Sequence, residues 1–251
     1  MPEEHRAHPP TQADNKWRFF HRIGARPTET KFGELNAPPV IPAAFPNWSE
    51  VMDNWGTKLL NAGITIAEMV AVGFGLPKNT LTDIMNCGPH LLAPTASDLN
   101  KHGKLDTVLA GFHNDLNFIT IHGKSRYPGL DIWLRDGTKV PVVVPDGCLL
   151  MQAGQQIEYL TGGEVLAGWH EVVVNQRTLE VIERSRTAGK SLWRISSTLF
   201  SHINSDATLR VLTGTEEEKK TKAAKYPPIL AGDQVIAELE AIKLNVSAAN
   251  K

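Results

Sequence analysis

The residues best suited to metal chemistry are the triplet His113-Asn114-Asp115 and a further histidine, His170, which follows Asp115 by 55 positions. Alternate side chains of a strand share a face, so His113 and Asp115 would point the same way, and a neighbouring strand could bring His170 to them. Two imidazoles and one carboxylate leave the other positions of a metal open, as a non-haem Fe(II) site for O₂ and a chelating cosubstrate requires. The alternative for each of the nine histidines is a hydrogen-bonded core or surface residue.

The chain around these residues has the pattern of short β-strands. Runs rich in Val, Ile, Leu, Phe and Trp are separated by turn sequences, among them Asp136-Gly137, which is typical of a tight hairpin. The number and spacing of the runs predict a sandwich, jelly roll or barrel. The predicted strands are 106–112, 116–121, 130–134, 139–144, 148–153, 165–174 and 192–200.

Helices are predicted on both sides of the strands. Apolar residues recur every three or four positions from Val51 to Val70, Ser49 is a suitable N-cap, and Gly73 and Pro77 would end the helix. Residues 1–16 are polar and are predicted to lack fixed structure. We expect an extended and helical N-terminal region at 1–85, a jelly-roll domain at 86–212, and a charged segment with a helix at 213–251. Shorter helices are predicted at about 79–86, 178–188 and 232–243.

Composition limits the classes of partner. The 251 residues carry 26 Lys and Arg against 27 Asp and Glu, so no bulk charge would draw the chain to nucleic acid or an anionic membrane. No apolar run approaches the roughly 18 residues of a membrane span. The N-terminus lacks the apolar stretch of a secretory signal, and two cysteines are too few for a disulfide framework. We therefore expect a cytoplasmic protein with no nucleic-acid or membrane partner.

The order of motifs resembles the isopenicillin N synthase-like family of Fe(II)- and 2-oxoglutarate-dependent dioxygenases over residues 106–200. In that family the motifs come in a fixed order. A histidine-x-aspartate is followed by a glycine-leucine strand, a hairpin, a Pro-x-Gly strand, a distal histidine and finally Arg-x-Ser-x-x-x-Phe. The helix end Phe74-Gly75-Leu76-Pro77 is also similar to the family's Leu-Gly-Leu-Pro. The matching segments here are His113-Asn114-Asp115, Pro128-Gly129-Leu130, Asp136-Gly137, Pro145-Asp146-Gly147, Trp169-His170 and Arg194-Ile195-Ser196 with Phe200.

The resemblance implies a mainly β fold with flanking helices around a double-stranded β-helix, or jelly-roll, core. It implies that His113, Asp115 and His170 bind iron, and that Arg194 and Ser196 hold the distal carboxylate of 2-oxoglutarate. Arg194 stands in an apolar run, where a buried arginine requires an anionic partner. The implied reaction uses O₂ to oxidise a small organic substrate by hydroxylation, desaturation or ring closure. Succinate and CO₂ are released, and ascorbate is a candidate reductant.

The sequence departs from the family pattern at several points. His170 and Arg194 are 24 positions apart, an insertion that resembles an orphan plant and fungal subgroup. The family's Asn-Tyr-Tyr-Pro, of which one tyrosine contacts the cosubstrate, is Leu91-Leu92-Ala93-Pro94 here. The family's first strand and helices are not found, so the N-terminal region is expected to be shortened. Two alternatives therefore stay open: an oxidase of the same fold that does not consume 2-oxoglutarate, and a catalytically silent jelly-roll binding protein.

Three polar residues after the first ligand strand are weak candidates for substrate binding. His122, Lys124 and Arg126 could line the mouth of the pocket and face an anionic substrate, although a solvated loop is the favoured interpretation. Trp133 and Trp169 are predicted to be core aromatics, with Trp169 on the face opposite to His170. The sequence predicts neither the substrate nor the type of oxidation, and it does not predict the oligomeric state.

Overall fold

Two antiparallel sheets, built mainly from the short apolar runs of the middle of the chain, form the centre of the protein. The computed structural model describes residues 1–7, 9 and 12–242. Its strands are β1 (Trp17–Arg18), β2 (His21–Ile23), β3 (His90–Asp98), β4 (Val108–His113), β5 (Ile119–His122), β6 (Leu130–Trp133), β7 (Lys139–Pro141), β8 (Leu150–Ala153), β9 (His170–Val173), β10 (Trp193–Ser201), β11 (Thr208–Leu209) and β12 (Ile229–Leu230).

The order of the strands confirms the jelly-roll prediction. The main sheet runs β1-β3-β10-β5-β8, with β2 also paired to β3, and the smaller sheet runs β4-β9-β6-β7. Neighbours in space are mostly distant in sequence, because successive strands alternate between the two sheets. Residues of both sheets line one pocket.

Seven helices flank the sheets. They are α1 (Trp48–Gly73), α2 (Thr80–Met85), α3 (Leu99–His102), α4 (Gln155–Thr161), α5 (Gln176–Thr187), α6 (Glu216–Ala223) and α7 (Ala231–Ala241). The helices predicted near 49–72, 79–86, 178–188 and 232–243 correspond to α1, α2, α5 and α7, although residue 243 lies outside the described residues. Among the described helices, none is both long enough and apolar enough to cross a bilayer.

Helix α1 packs against the main sheet through a narrow face rich in small residues. Its buried positions are Met52, Gly56, Leu59, Leu60, Gly63, Ala67 and Ala71. Two residues of the predicted apolar stripe, Val51 and Met69, are 54% and 67% exposed instead. A Cβ atom on Gly56 would lie 2.3 Å from Ile23 Cδ1, so the close approach of the helix to β2 explains the glycine.

The first residues of the chain are held by buried carboxylates, and the prediction that 1–16 lacks fixed structure is wrong for this part. His5 Nδ1 lies 2.7 Å from Glu158 Oε1, and Arg6 Nε donates to Glu238 Oε1 over 3.0 Å. Both glutamates are buried. Their partners lie more than 150 residues away in sequence, so local polarity could not reveal the contact.

A pair of buried histidines should make the protein sensitive to acid. His90 Nδ1 accepts a hydrogen bond from the backbone N–H of His202, and both side chains are buried. Burial, together with the nearby Arg22, lowers the pKa of His90 to about 4, and burial and His90 lower the pKa of His202 to about 3. The unfolded chain binds protons on these groups near pH 6.5, so folding stability is present above that pH and falls as pH decreases towards 4.

We expect the free energy of unfolding to drop between about pH 7.5 and pH 5, with each of these two histidines contributing on the order of 1–2 kcal/mol. Urea unfolding at the two pH values measures the loss. The variant His202→Leu removes one titrating group and should show a smaller loss. An equal loss in this variant and in the wild type would contradict the assignment.

Candidate metal centre

The antiparallel pairing of β4 and β9 brings the two predicted ligand histidines together. His113 ends β4 directly opposite His170, the first residue of β9, and their ring centroids are 4.1 Å apart. Asp115 follows β4, and its Oδ1 lies 3.8 Å from His113 Nε2 and 4.0 Å from His170 Nε2. The three ligand atoms lie within 4.8 Å of one another, so the cluster could hold one metal ion.

Hydrogen bonds on the far side of His113 and Asp115 leave their metal-facing atoms free. His113 Nδ1 lies 2.6 Å from the carbonyl oxygen of Gly111, which places the ring proton on Nδ1 and the lone pair on Nε2. Thr120, fully buried on β5, donates its hydroxyl to Asp115 Oδ2 over 2.7 Å. The remaining oxygen, Oδ1, points between the two imidazoles. This donor set suits a divalent metal such as Fe(II).

Gln152 on β8 completes the surroundings of His170. The amide nitrogen of Gln152 is placed 2.6 Å from His170 Nδ1, while its buried oxygen has no hydrogen-bond partner. A ring that binds metal through Nε2 carries its proton on Nδ1. That proton has the Gly168 carbonyl as an acceptor at 3.2 Å. The same carbonyl accepts a hydrogen bond of 2.9 Å from the Gln152 amide, which fixes its position beside the ring.

The protonation states of the cluster favour metal binding at neutral pH. Burial lowers the pKa of His113 to about 4, and the neighbouring His170 acts in the same direction. Burial by itself would raise the pKa of Asp115, but His170, His113 and the Thr120 hydroxyl outweigh it and lower the pKa. A neutral imidazole and an ionised carboxylate are the forms that bind metals.

Arg194 and Ser196 line the same pocket from β10. Arg194 is 8% exposed, and its one hydrogen bond is a long contact of 3.4 Å from Nε to the Pro128 carbonyl. Burial lowers the pKa of Arg194 to about 10, which leaves the guanidinium charged at pH 7. Among the described residues no carboxylate pairs with it, so this cation is available to an anionic ligand.

The three weaker candidates for substrate binding all line the pocket but differ in their contacts. His122 lines the pocket, its ring is 6.4 Å from that of His170, and its Nε2 is buried without a hydrogen-bond partner. Lys124 also lines the pocket but pairs with Asp146. Arg126 lines the pocket at the same loop. The solvated-loop interpretation therefore fails for His122, because burial lowers its pKa to about 4 and keeps the ring neutral.

The two tryptophans lie away from the metal ligands. Trp169 stacks on Phe112 with ring centroids 4.7 Å apart and an interplanar angle of 13°, and Trp133 contacts Phe112 edge-on. Phe112 is 52% exposed and both tryptophans are half-buried, so the expectation of core aromatics is wrong. The predicted orientation of Trp169 away from His170 agrees with this contact.

Several polar residues of the pocket were not identified in the sequence, and four of them come from the main sheet or next to it. Thr95 and Ser97 come from β3, and Lys16 and Arg18 come from the segment that contains β1. The alternation Lys16-Trp17-Arg18 is a short strand pattern with two cations on one face. Its position beside the pocket depends on pairing with a strand that lies 77 residues further along the chain.

Gly154 allows the loop that carries Asp115 to lie against α4. A Cβ atom at this position would be 2.2 Å from the Asn117 carbonyl oxygen and 3.0 Å from that of Asp115. We expect Gly154→Ala to lower the free energy of unfolding by about 1–3 kcal/mol and to weaken metal binding, because the loop must move. Urea unfolding and metal titration measure the two effects. Gly73→Ala, where a Cβ meets open space, is the matched control, and equal behaviour of the two variants would contradict the prediction.

Comparisons with known proteins agree with this geometry. No protein-family profile matches the chain. A 2-oxoglutarate-dependent dioxygenase of Gibberella zeae is 26% identical over 199 residues, which cover 73% of this chain and 49% of the relative. A chloroplastic 2-oxoglutarate-dependent dioxygenase of Oryza sativa is 25% identical over 137 residues, covering 53% of this chain and 40% of the relative. The chain thus spans about half or less of the length of these curated relatives.

Solved structures show the same fold. A 2OG-Fe(II) oxygenase family protein from Caulobacter crescentus superposes with a TM-score of 0.75 and 25% identity, over 92% of this chain and 71% of that one. A Neurospora crassa protein in complex with alpha-KG superposes with a TM-score of 0.71 and 18% identity, over 91% of this chain and 66% of that one. By sequence and by fold, the chain is similar to Fe(II)- and 2-oxoglutarate-dependent dioxygenases.

Proposed function

We propose that the protein is an Fe(II)- and 2-oxoglutarate-dependent dioxygenase that oxidises a small organic substrate and releases succinate and CO₂. The observation that carries the proposal is one pocket containing both a three-ligand metal cluster and a buried arginine without a counter-ion. The names of the relatives from Gibberella zeae and Oryza sativa support the same activity. The cytoplasmic location and the absence of nucleic-acid or membrane partners stay predictions.

In this proposal His113, Asp115 and His170 bind Fe(II). The iron supplies open coordination positions at which a 2-oxo acid and O₂ can bind together. Thr120 fixes the Asp115 carboxylate, and the Gly111 carbonyl holds the His113 ring in the tautomer that binds metal. The Gly168 carbonyl has the same role for His170. These contacts hold the three donor atoms in place before metal arrives, which lowers the cost of binding it.

Arg194 and Ser196 hold the distal carboxylate of 2-oxoglutarate in this proposal. The planar guanidinium presents two parallel donors to a carboxylate, and the Ser196 hydroxyl adds one more. The two residues face the same side of β10 as Thr198 and Phe200, because alternate residues of a strand share a face, and all four line the pocket. An anion at this place would compensate a cation whose burial is otherwise unfavourable.

The missing tyrosine motivates the alternative of an oxidase that does not consume 2-oxoglutarate. The segment Leu91-Leu92-Ala93-Pro94 belongs to β3, and the polar residues that β3 directs to the pocket are Thr95 and Ser97. Thr95 pairs with Ser196, and Ser97 pairs with Arg194. The Ser97 hydroxyl could contribute a polar contact of the kind that a tyrosine makes elsewhere in the family, which favours 2-oxoglutarate as the cosubstrate.

The test is formation of succinate from 2-oxoglutarate by purified protein with Fe(II), O₂ and ascorbate, measured by NMR or mass spectrometry. We expect succinate from the wild type even without an added substrate, at a slow uncoupled rate, and none above background without iron. Arg194→Gln should lose the reaction, whereas Arg184→Gln, which removes an exposed charge of α5 outside the pocket, should retain it. Wild-type protein that binds iron but forms no succinate would favour the oxidase, and failure to bind iron would favour the silent binding protein.

A further inference from the structure

The pocket has a second cationic side, formed by the N-terminal strand. Strand β1 pairs antiparallel with β3, with Trp17 opposite Ala96 and Arg18 opposite Thr95. On its other side β3 pairs with β10, where Thr95 faces Ser196. Arg18, Thr95 and Ser196 therefore form one row across three strands, with their side chains on the pocket face.

Arg18 is held in place but has no anionic partner. Its Nε donates to Thr95 Oγ1 over 3.1 Å, and its Cζ lies 5.3 Å from the ring centre of Phe200 and 5.8 Å from that of Phe20. These contacts use Nε and one face of the guanidinium and leave both terminal nitrogens free. No carboxylate forms an ion pair with it among the described residues. A planar cation fixed in this way is prepared for a carboxylate.

Lys16, the neighbouring cation of the same segment, is already neutralised. Its Nζ lies 2.7 Å from Asp14 Oδ2, and the same carboxylate accepts a hydrogen bond of 2.8 Å from the Gly111 backbone. Asp14 therefore connects the N-terminal segment to β4 next to the metal ligands, and Lys16 balances its charge. Of the two cations on this side, Arg18 is the one available to a ligand.

Arg18 and Arg194 lie on different strands, β1 and β10, with β3 between them. Two strand spacings separate their backbones by about 10 Å. Both side chains line the pocket, so it offers guanidinium groups from two strands, and the proposed function uses that of Arg194 for the cosubstrate.

The space between these points is largely apolar. The pocket has a volume of about 290 Å³ and contains one acidic side chain, Asp115, among its lining residues. Aliphatic side chains contribute much of the wall beside the metal cluster: Leu109, Leu130, Val142, Val144, Leu150 and Val172. Such a wall suits an apolar body.

We propose that Arg18 binds the carboxylate of the primary substrate, which is an organic acid with an apolar body. This inference rests on the proposed function, because it assigns Arg194 to the cosubstrate and Arg18 to the molecule that is oxidised. Thr95 is a positioning residue in this scheme: it holds the guanidinium through Nε so that both terminal nitrogens face the pocket.

The test uses 4-phenylbutyrate and its primary amide, two probes that differ in charge but hardly in shape. Binding to full-length protein loaded with redox-inactive Zn(II) and 2-oxoglutarate is measured by titration calorimetry. We expect the wild type to bind the acid about 10-fold or more tightly than the amide, the gain expected of a charge-assisted contact. Arg18→Gln should reduce the preference to below about 3-fold, Arg18→Lys should keep part of it, and Arg184→Gln should keep all of it.

A second readout separates this proposal from the proposed function. The affinity for 2-oxoglutarate should change less than about 3-fold in Arg18→Gln, whereas it depends strongly on Arg194. A large loss of 2-oxoglutarate binding in Arg18→Gln would mean that Arg18 holds the cosubstrate, and it would overturn the inference. The inference would also be overturned if the wild type bound the acid no more tightly than the amide. The same holds if Arg126→Gln lost the preference for the acid while Arg18→Gln kept it. Wild-type protein that binds no 2-oxoglutarate would refute the proposed function itself.

Discussion

Replacing Asp115 with asparagine is expected to weaken Fe(II) binding by about 100-fold or more, a larger loss than removal of a supporting contact usually causes. Asp115 supplies the one carboxylate of the cluster, and its Oδ1 lies about equally far from the two imidazole nitrogens. Asparagine has nearly the same shape and still offers an oxygen to Thr120, but it carries no charge to balance a divalent cation. Anaerobic equilibrium dialysis with Fe(II), or titration with Mn(II), measures the affinity.

Asp136→Asn is the matched control for this substitution. Asp136 lies at an exposed hairpin turn and accepts a hydrogen bond from the Thr138 backbone, which asparagine can also accept. This variant should bind metal like the wild type. Metal affinity that is unchanged in Asp115→Asn would mean that the ion binds elsewhere, and the assignment of the three ligands would fail.

Arg194→Gln is expected to reduce 2-oxoglutarate affinity by about 100-fold, since the variant loses a bidentate charged contact in a buried place. The same variant should be at least as stable as the wild type when no cosubstrate is present, because it removes a buried cation that has no partner in the free protein. Calorimetry measures the affinity, and the Tm of metal-free protein measures the stability. Loss of affinity together with retained stability separates a binding role from a structural one.

Arg194→Lys and Arg184→Gln complete this series. Lysine keeps the charge but cannot present two parallel donors, so about a 10-fold loss of affinity is expected. Arg184→Gln removes one positive charge from the exposed side of α5 and should have no effect. A drop in Tm of Arg194→Gln with unchanged 2-oxoglutarate binding would show that Arg194 supports the fold and that another residue holds the cosubstrate.

The metal cluster could be predicted from the sequence because His113 and Asp115 are two positions apart and His170 follows in a later apolar run. Alternation along a strand explains the cluster only in part, since β4 ends at His113 and Asp115 lies in the loop after it, while β9 places His170 opposite His113. Strand β3, in contrast, was missed. It contains Pro94 at a position paired with Ser197 of β10, and proline is unusual inside a sheet because it lacks the N–H group that the ladder uses.

Helix α4 was missed for a different reason. All seven of its residues, Gln155 to Thr161, are buried, so the sequence has no polar side that would mark a helical period. Its polar side chains find partners far along the chain, as Gln155 does with Glu238 and Glu158 with Tyr226. Such contacts exist only in the folded protein. The same holds for Arg18, whose place in the pocket depends on β1 pairing with β3.

In the proposed enzyme, one pocket holds a metal ion through three side chains and 2-oxoglutarate through the metal and Arg194 together. This arrangement is tested by anaerobic titration calorimetry of 2-oxoglutarate into wild-type protein, with and without one equivalent of Fe(II). We expect one binding site whose affinity rises by about 100-fold or more when iron is present, because 2-oxoglutarate would chelate the metal directly. Equal affinity with and without iron, or no binding to the iron-loaded protein, would contradict it.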